Sequence, residues 1–295
     1  MRMFEGSGVA LITPFKNNEV DYQRLGEIID WQIEKGTDSI IICGTTGESA
    51  TMSHEERKNV IEFAVKRTNK RIPVIAGTGS NNTAYSIELS KFAEEVGVDG
   101  LLIVTPYYNK TTQKGVIEHY KAIANSVNSP IILYNVPGRT GMSLLSKTVY
   151  ELSKIPNIVG IKEASGDISL VAQIASLCGD DFYIYSGNDD MTVPILSLGG
   201  KGVISVVANI LPSDTHQMVM EYLNGNIEKS RKLQLKMNGL INALFIETNP
   251  IPVKTAMNLM DMGAGELRLP LTDMEEGNLK VLVNMMKEYG ISIKE

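Results

Sequence analysis

Up to Val207 the chain alternates short apolar runs with longer amphipathic stretches. The runs are Val9-Ala10-Leu11-Ile12, Ile40-Ile41-Ile42, Val74-Ile75-Ala76, Leu101-Leu102-Ile103-Val104, Ile131-Ile132-Leu133, Ile158-Val159-Gly160-Ile161, Phe182-Tyr183-Ile184-Tyr185 and Val203-Ile204-Ser205-Val206-Val207. Each is continuous rather than alternating in hydrophobicity, as expected of parallel strands covered on both faces. The stretches between them read as helices. Ser53-His54-Glu55-Glu56 has the spacing of a capping box, and the residues after it gather Val60, Ile61, Ala64 and Val65 on one face. Leu89, Phe92, Ala93 and Val96 form another stripe, which stops at Gly97. Eight β/α units in about 210 residues predict an α/β fold of the closed (β/α)8 TIM-barrel type. The competing open, doubly wound sheet would want a G-x-G-x-x-G after its first strand, and none follows. Beyond Val207 the pattern is helical only. Asn224-Gly225-Asn226 then divides a catalytic barrel, 1–225, from a C-terminal helical region, 226–295, with breaks at Asn249-Pro250-Ile251-Pro252 and Gly263-Ala264-Gly265.

Composition adds exclusions. With 295 residues and 43% hydrophobic content the chain can bury a large core. Its 28 basic and 34 acidic residues give a net charge of −6 without a basic stripe, so nucleic acid is not an expected partner. No basic region followed by a long apolar stretch opens the sequence, and no run reaches the length of a membrane span; a cytoplasmic location is expected. Cys43 and Cys178 lack CxxC spacing, and His54, His119 and His216 lie far apart, so neither a disulfide framework nor a metal site is expected.

One charge sits where the pattern calls for an apolar residue. Lys162 closes the run Ile158-Val159-Gly160-Ile161-Lys162-Glu163-Ala164. A lysine stripped of solvent there can offer a neutral amine to a carbonyl and form a Schiff base. Alternatively it snorkels to water or pairs with Glu163. The barrel expectation favours the chemical reading, because catalytic groups gather at the C-terminal ends of barrel strands, where unusual polar residues also fall. Strand two runs into Gly44-Thr45-Thr46-Gly47-Glu48-Ser49, strand three into Gly77-Thr78-Gly79-Ser80-Asn81, and strand four into Thr105-Pro106-Tyr107-Tyr108-Asn109. Strand five leads to Tyr134-Asn135-Val136-Pro137-Gly138-Arg139-Thr140-Gly141, and strand seven to Ser186-Gly187-Asn188-Asp189-Asp190. Gly44-Thr45-Thr46-Gly47 is either a glycine turn or a receptor of amides and hydroxyls for a small carboxylate. Arg139 is either a surface arginine or a bidentate clamp for a second carboxylate. Tyr134 is either a core tyrosine or a proton carrier beside the amine. Gly199-Gly200-Lys201-Gly202 precedes strand eight, so it belongs to the structural face and is not a phosphate cradle.

Taken in order, Gly44-Thr45-Thr46-Gly47-Glu48, Tyr134-Asn135-Val136-Pro137-Gly138-Arg139-Thr140-Gly141 and Gly160-Ile161-Lys162-Glu163 resemble the pyruvate-dependent class I aldolase and lyase superfamily and, within it, the dihydrodipicolinate synthase family. The resemblance runs over essentially the whole chain. It implies condensation of pyruvate with L-aspartate 4-semialdehyde to 4-hydroxy-tetrahydrodipicolinate, the entry to diaminopimelate and lysine, through an imine on Lys162 and without a further cofactor. It implies Tyr134 as acid and base, with Thr45 and Tyr108 continuing a hydroxyl relay, Tyr108 coming from a neighbouring subunit of a homotetramer. Thr45 and Thr46 would hold the pyruvate carboxylate and Arg139 that of the aldehyde, with Gly187 and Ile204 lining the pocket. N-acetylneuraminate lyases share the Lys162 and Tyr134 positions but lack the Pro-Gly-Arg-Thr-Gly element, so they stand second; a barrel kept only as a small-molecule sensor would need no hidden nucleophile. Ser49, Ala50, His54, Asn81 and Tyr107 match a lysine-effector site of the family, but Tyr85 replaces an acidic residue and Arg57 a histidine. Both changes oppose an ammonium ligand. Weak or absent feedback is expected, and half-inhibition by submillimolar lysine would contradict it.

Overall fold

Eight parallel strands close on themselves in the computed structural model, which describes residues 3–294. They are β1 (Gly6–Ala10), β2 (Ser39–Ile42), β3 (Val74–Gly77), β4 (Gly100–Val104), β5 (Ile131–Asn135), β6 (Ile158–Glu163), β7 (Tyr183–Ser186) and β8 (Gly202–Ser205). Each pairs with its sequence neighbours, and β1 pairs with both β2 and β8, so no edge is left open. Helices α1 (Tyr22–Glu34), α2 (His54–Thr68), α3 (Thr83–Glu95), α4 (Gln113–Ala124), α5 (Ser146–Ser153), α6 (Ile168–Cys178), α7 (Thr192–Leu196) and α8 (Pro212–Leu223) follow the strands in turn. The predicted capping box is present: Glu56 N–H donates to the Ser53 hydroxyl at 3.1 Å and Ser53 N–H to the Glu56 carboxylate at 2.8 Å. The C-terminal part adds α9 (Ile227–Leu244), α10 (Ile251–Leu259) and α11 (Glu276–Tyr289). No helix among the described residues is long and apolar enough to cross a membrane.

Two strand ends differ from the apolar runs. The first strand is Gly6–Ala10, whereas Leu11 and Ile12 lie past its end, still fully buried. Its opening residues Gly6-Ser7-Gly8 carry no hydrophobic signal, yet crowding accounts for both glycines: a Cβ on Gly6 would lie 2.1 Å from Asp38 Oδ2, and one on Gly8 2.5 Å from Ile41 Cδ1. At the other end Val206 and Val207 have left β8, because both backbone N–H groups donate to Asp189 Oδ2 at 3.0 Å.

Alternation along the strands divides the interior into two layers. Ala10, Ile41, Ile75, Leu102, Ile132, Tyr134, Tyr185 and Ile204 point inward and pack with Phe4 inside the barrel. Their neighbours, such as Ile40, Leu101, Leu133 and Ile161, point outward into the layer beneath the helices. Phe4 stacks on Tyr185 with ring centroids 4.6 Å apart, and the Tyr185 hydroxyl donates to the Phe4 carbonyl at 2.6 Å, which fills one end of the barrel. The C-terminal helices share the outer layer through Met237, Leu240, Leu244, Val253, Met257 and Leu282.

Candidate active site

The strand register sets Lys162 between two tyrosines. Tyr134 of β5 and Tyr185 of β7 are its direct cross-strand partners, and all three sit on inward positions. Lys162 is only 6% exposed, so its amine does not reach water along the surface. Nor does it pair with its neighbour. Glu163 points to the other side of β6, where it accepts from Asn135 Nδ2 at 2.8 Å and from Ser165 N–H at 2.6 Å; burial raises its pKa. Both bland explanations of Lys162 are thereby removed. Its Nζ makes no hydrogen bond or ion pair among the described residues, and lies 4.5 Å from the centre of the Tyr134 ring.

Gly187, at the end of β7, packs closely against the Lys162 stem. A Cβ there would come within 3.1 Å of Lys162 Cε and 2.6 Å of Ala164 Cβ, so a side chain would displace the lysine stem. Ile204 of β8 lines the same interior. The two tyrosines differ in what they can offer. Tyr185 already gives its proton to the Phe4 carbonyl, while the Tyr134 hydroxyl makes no hydrogen bond to another described residue.

Gly44-Thr45-Thr46-Gly47-Glu48 forms a tight turn between β2 and α2. Cys43 and Glu48 flank it with φ of 55° and 54°, a left-handed backbone that a side chain makes costly. The surrounding structure holds the turn there. Thr13 Oγ1 donates to the Gly47 carbonyl at 2.7 Å. The Glu48 carboxylate accepts from Lys254 Nζ at 2.7 Å and from Arg268 N–H at 3.1 Å, with both side chains of the ion pair essentially buried. Lys254 also donates to the Thr13 carbonyl at 3.1 Å, and burial lowers its pKa against the opposing pull of Glu48.

Arg139 stands on a single helical turn, Pro137–Thr140, begun by a proline and ended by Gly141 at φ 72°. Its Nη2 donates to the Asn249 carbonyl at 3.0 Å, and Asn249 Nδ2 donates to Thr46 Oγ1 at 3.0 Å. One residue of the C-terminal region thus ties the two predicted carboxylate receptors together. A cavity of about 230 Å³ opens beside them, lined by Thr45, Ser49, Ala50, Arg57, Tyr107 and Arg139 among others. It adjoins a smaller one of about 40 Å³ that Tyr134, Gly44 and Thr45 share with Arg57. Thr45 and Tyr134 are neighbours there without a direct hydrogen bond.

Two groups of predicted residues are placed differently. Tyr108 is 91% exposed at φ 68° and does not line its own chain's cavity; Tyr107 does. Of the effector set, Ser49, Ala50 and Tyr107 line the cavity, while His54 packs edge-on against Tyr85 at 4.7 Å and Asn81 Nδ2 donates to the Tyr107 carbonyl at 3.2 Å. Sequence reasoning passed over the roles of Asn249 and Lys254. Lys254 could have been found by the argument applied to Lys162, since it too is a lone charge in an apolar run, Ile251-Pro252-Val253-Lys254. Asn249 read only as a helix break. Among the described residues no group of three or more His, Cys, Asp and Glu is placed to hold a metal ion.

A family model described as the dihydrodipicolinate synthetase family matches residues 3–289. The chain belongs to that family. Among its relatives, a 4-hydroxy-tetrahydrodipicolinate synthase of Acetivibrio thermocellus is 61% identical over 289 residues, covering 98% of each chain. One of Clostridium novyi is 58% identical over 295 residues and covers both chains completely. The crystal structure of dihydrodipicolinate synthase from Aquifex aeolicus superposes with a TM-score of 0.97 at 46% identity, over 99% of this chain and 100% of that one. The family membership accounts for the (β/α)8 barrel, and the motifs that carried the resemblance fall at the mouth just described.

Proposed function

We infer that this protein is a 4-hydroxy-tetrahydrodipicolinate synthase, condensing pyruvate with L-aspartate 4-semialdehyde. The observation that carries the reading is Lys162: a buried amine with no protein partner, against Tyr134, which lines a cavity at the barrel mouth, in a chain whose full-length relatives carry that name. The amine adds to the C2 carbonyl of pyruvate, and loss of water gives a protonated imine. Removal of a C3 proton turns the imine into an enamine, whose C3 attacks the aldehyde carbon of the second substrate. The amino group of that substrate then adds to the imine carbon, closes the ring and expels the Lys162 amine.

Tyr134 is assigned the proton transfers at the imine, because its hydroxyl is uncommitted and its ring lies against Nζ. Each proton the phenol takes up must be passed on before the next transfer, so rapid exchange needs a relay. Thr45 supplies its next member, and the exposed Tyr108 of a second subunit completes it. Thr45 and Thr46 hold the pyruvate carboxylate; Arg139, anchored by Asn249, holds that of the semialdehyde. Gly187 and Ile204 line the pocket. No group besides the lysine imine is needed for this sequence. The working unit is a homotetramer built from tight dimers, acting in the cytoplasm. Ser49, Ala50, His54, Asn81, Tyr85 and Tyr107 form a degenerate version of a lysine-effector site.

The reading is tested by pyruvate consumption with the purified protein, offered either L-aspartate 4-semialdehyde or N-acetylmannosamine. Turnover with the semialdehyde alone is expected. Turnover with the amino sugar alone would transfer the enzyme to the sugar-acid lyases.

A further inference from the structure

Tyr134 and Lys162 are partners across β5 and β6, and the next register on the same strands pairs Asn135 with Glu163. Side chains alternate along a strand, so this second pair lies on the face turned away from the barrel interior. Both residues are buried, Asn135 at 0% and Glu163 at 2% exposure. An acid placed there loses its hydration, so each of its oxygens needs a donor. Asn135 Nδ2 donates to Oε2 at 2.8 Å, and Ser165 N–H donates to Oε1 at 2.6 Å. The Asn135 amide is fixed in this sense, because its own Oδ1 accepts from Leu144 N–H at 3.0 Å. Two donors therefore face position 163. A carboxylate satisfies both, whereas an amide would satisfy one and set its own donor against the other.

The backbone converges on the same point. Ala164 N–H donates to the Asn135 carbonyl at 2.9 Å, and Gly187 N–H, beside the Lys162 stem, donates to the Glu163 carbonyl at 2.7 Å. Residues 136–143, which carry Arg139, leave Asn135 along the chain and are tied back to its side chain through Leu144. Neither Asn135 nor Glu163 lines the cavities at the mouth, so their influence on the chemistry passes through the residues they hold. We propose that Asn135 and Glu163 are positioning residues of the reaction. The bond between them sets the Tyr134 ring against the Lys162 amine, and the bond from Leu144 sets the Arg139 loop. The proposal rests on the reading of Lys162 and Tyr134 as the imine-forming pair.

The link can be broken and remade with its polarity reversed. Glu163→Gln alone sets two donors face to face. Adding Asn135→Asp restores the set: the aspartate accepts from Leu144 N–H and from the glutamine amide, while the glutamine carbonyl accepts from Ser165 N–H. The rate of adduct formation with pyruvate and borohydride, kcat, and KM for the semialdehyde are measured on full-length variants beside their Tm. Because a misplacement of about 1 Å can cost about 10²-fold, Glu163→Gln should form the adduct and turn over at least about tenfold more slowly, and the double variant should return to within about threefold of wild type. Asn135→Ser, too short to bridge but free of repulsion, should show the same loss of rate, and it covers a Glu163→Gln chain that fails to fold. It alone should also raise KM, since the other variants keep an acceptor for Leu144 N–H. A lowered Tm with unchanged rates, a double variant as slow as Glu163→Gln, or an unchanged KM in Asn135→Ser would overturn the proposal. Wild-type protein that forms no pyruvate adduct would strike the underlying reading and the proposal together, whereas a wild-type adduct with unaltered rates in the variants strikes the proposal alone.

Discussion

Tyr134 and Tyr185 flank the same lysine, yet only one has a proton to spare. The Tyr185 hydroxyl is spent on the Phe4 carbonyl, so Tyr185→Phe should alter packing more than chemistry, whereas Tyr134→Phe removes the uncommitted hydroxyl. Loss of a positioned acid and base lowers turnover by about 10²–10⁴-fold, and kcat of Tyr134→Phe should fall in that range with the fold retained. Arg139→Ala should instead raise KM for the semialdehyde by roughly tenfold or more and leave the pyruvate adduct intact, as steady-state kinetics beside borohydride trapping would read. A collapse of pyruvate affinity alone would mean the arginine serves the other carboxylate. Lys162 was legible in the sequence because a charge closing an apolar run is an anomaly against a strong pattern. Asn249 was not, because its role consists of a backbone carbonyl and a side-chain amide aimed at residues 110 and 203 positions away.

The elements are held to one another by buried polar links as much as by the apolar layers. The Glu48–Lys254 pair ties the turn after β2 to α10, and removing one member leaves a buried charge alone. Lys254→Met should therefore cost about 3–5 kcal/mol of stability, while the double variant Glu48→Gln with Lys254→Met should cost clearly less than the sum. Additive losses in denaturant unfolding would show that the two do not interact. A second link sits between α3 and α4, where the His119 ring meets Thr83 Oγ1 at 2.9 Å and its Nε2 is buried without a partner. Burial pushes the His119 pKa down to about 4 from its usual 6.5. The folded state then keeps the ring neutral while the unfolded chain takes up a proton, so stability is full above pH 6.5 and is lost as pH falls towards 4. The loss amounts to about 3 kcal/mol at most. His119→Gln should flatten the fall in Tm over that window, and an unchanged slope would remove His119 as its cause. The capping box placed α2 and periodicity placed α3 in advance; the glycine-led start of β1 and the departure of Val206 from β8 were hidden, because crowding and a distant carboxylate, not hydrophobicity, set them.

At the scale of the whole molecule, the barrel could be read from eight continuous apolar runs, but the contribution of the C-terminal helices to the mouth could not. Asn249, Lys254 and Arg268 all come from beyond the barrel and act on the turn after β2 and on Arg139. The proposed relay adds a further dependence, on the exposed Tyr108 of another copy of the chain. Tyr108→Ala and Lys162→Ala should each be nearly inactive alone, and mixing them under conditions that exchange subunits should restore part of the activity. A mixture no more active than its components would confine the site to one chain. The central claim remains the imine at Lys162. It is tested most directly by treating the protein with pyruvate and borohydride and locating the adduct by peptide mass analysis. One reduced pyruvate on Lys162, absent from Lys162→Ala, is the predicted result; an adduct on another lysine, or the same adduct persisting in the variant, would contradict the account.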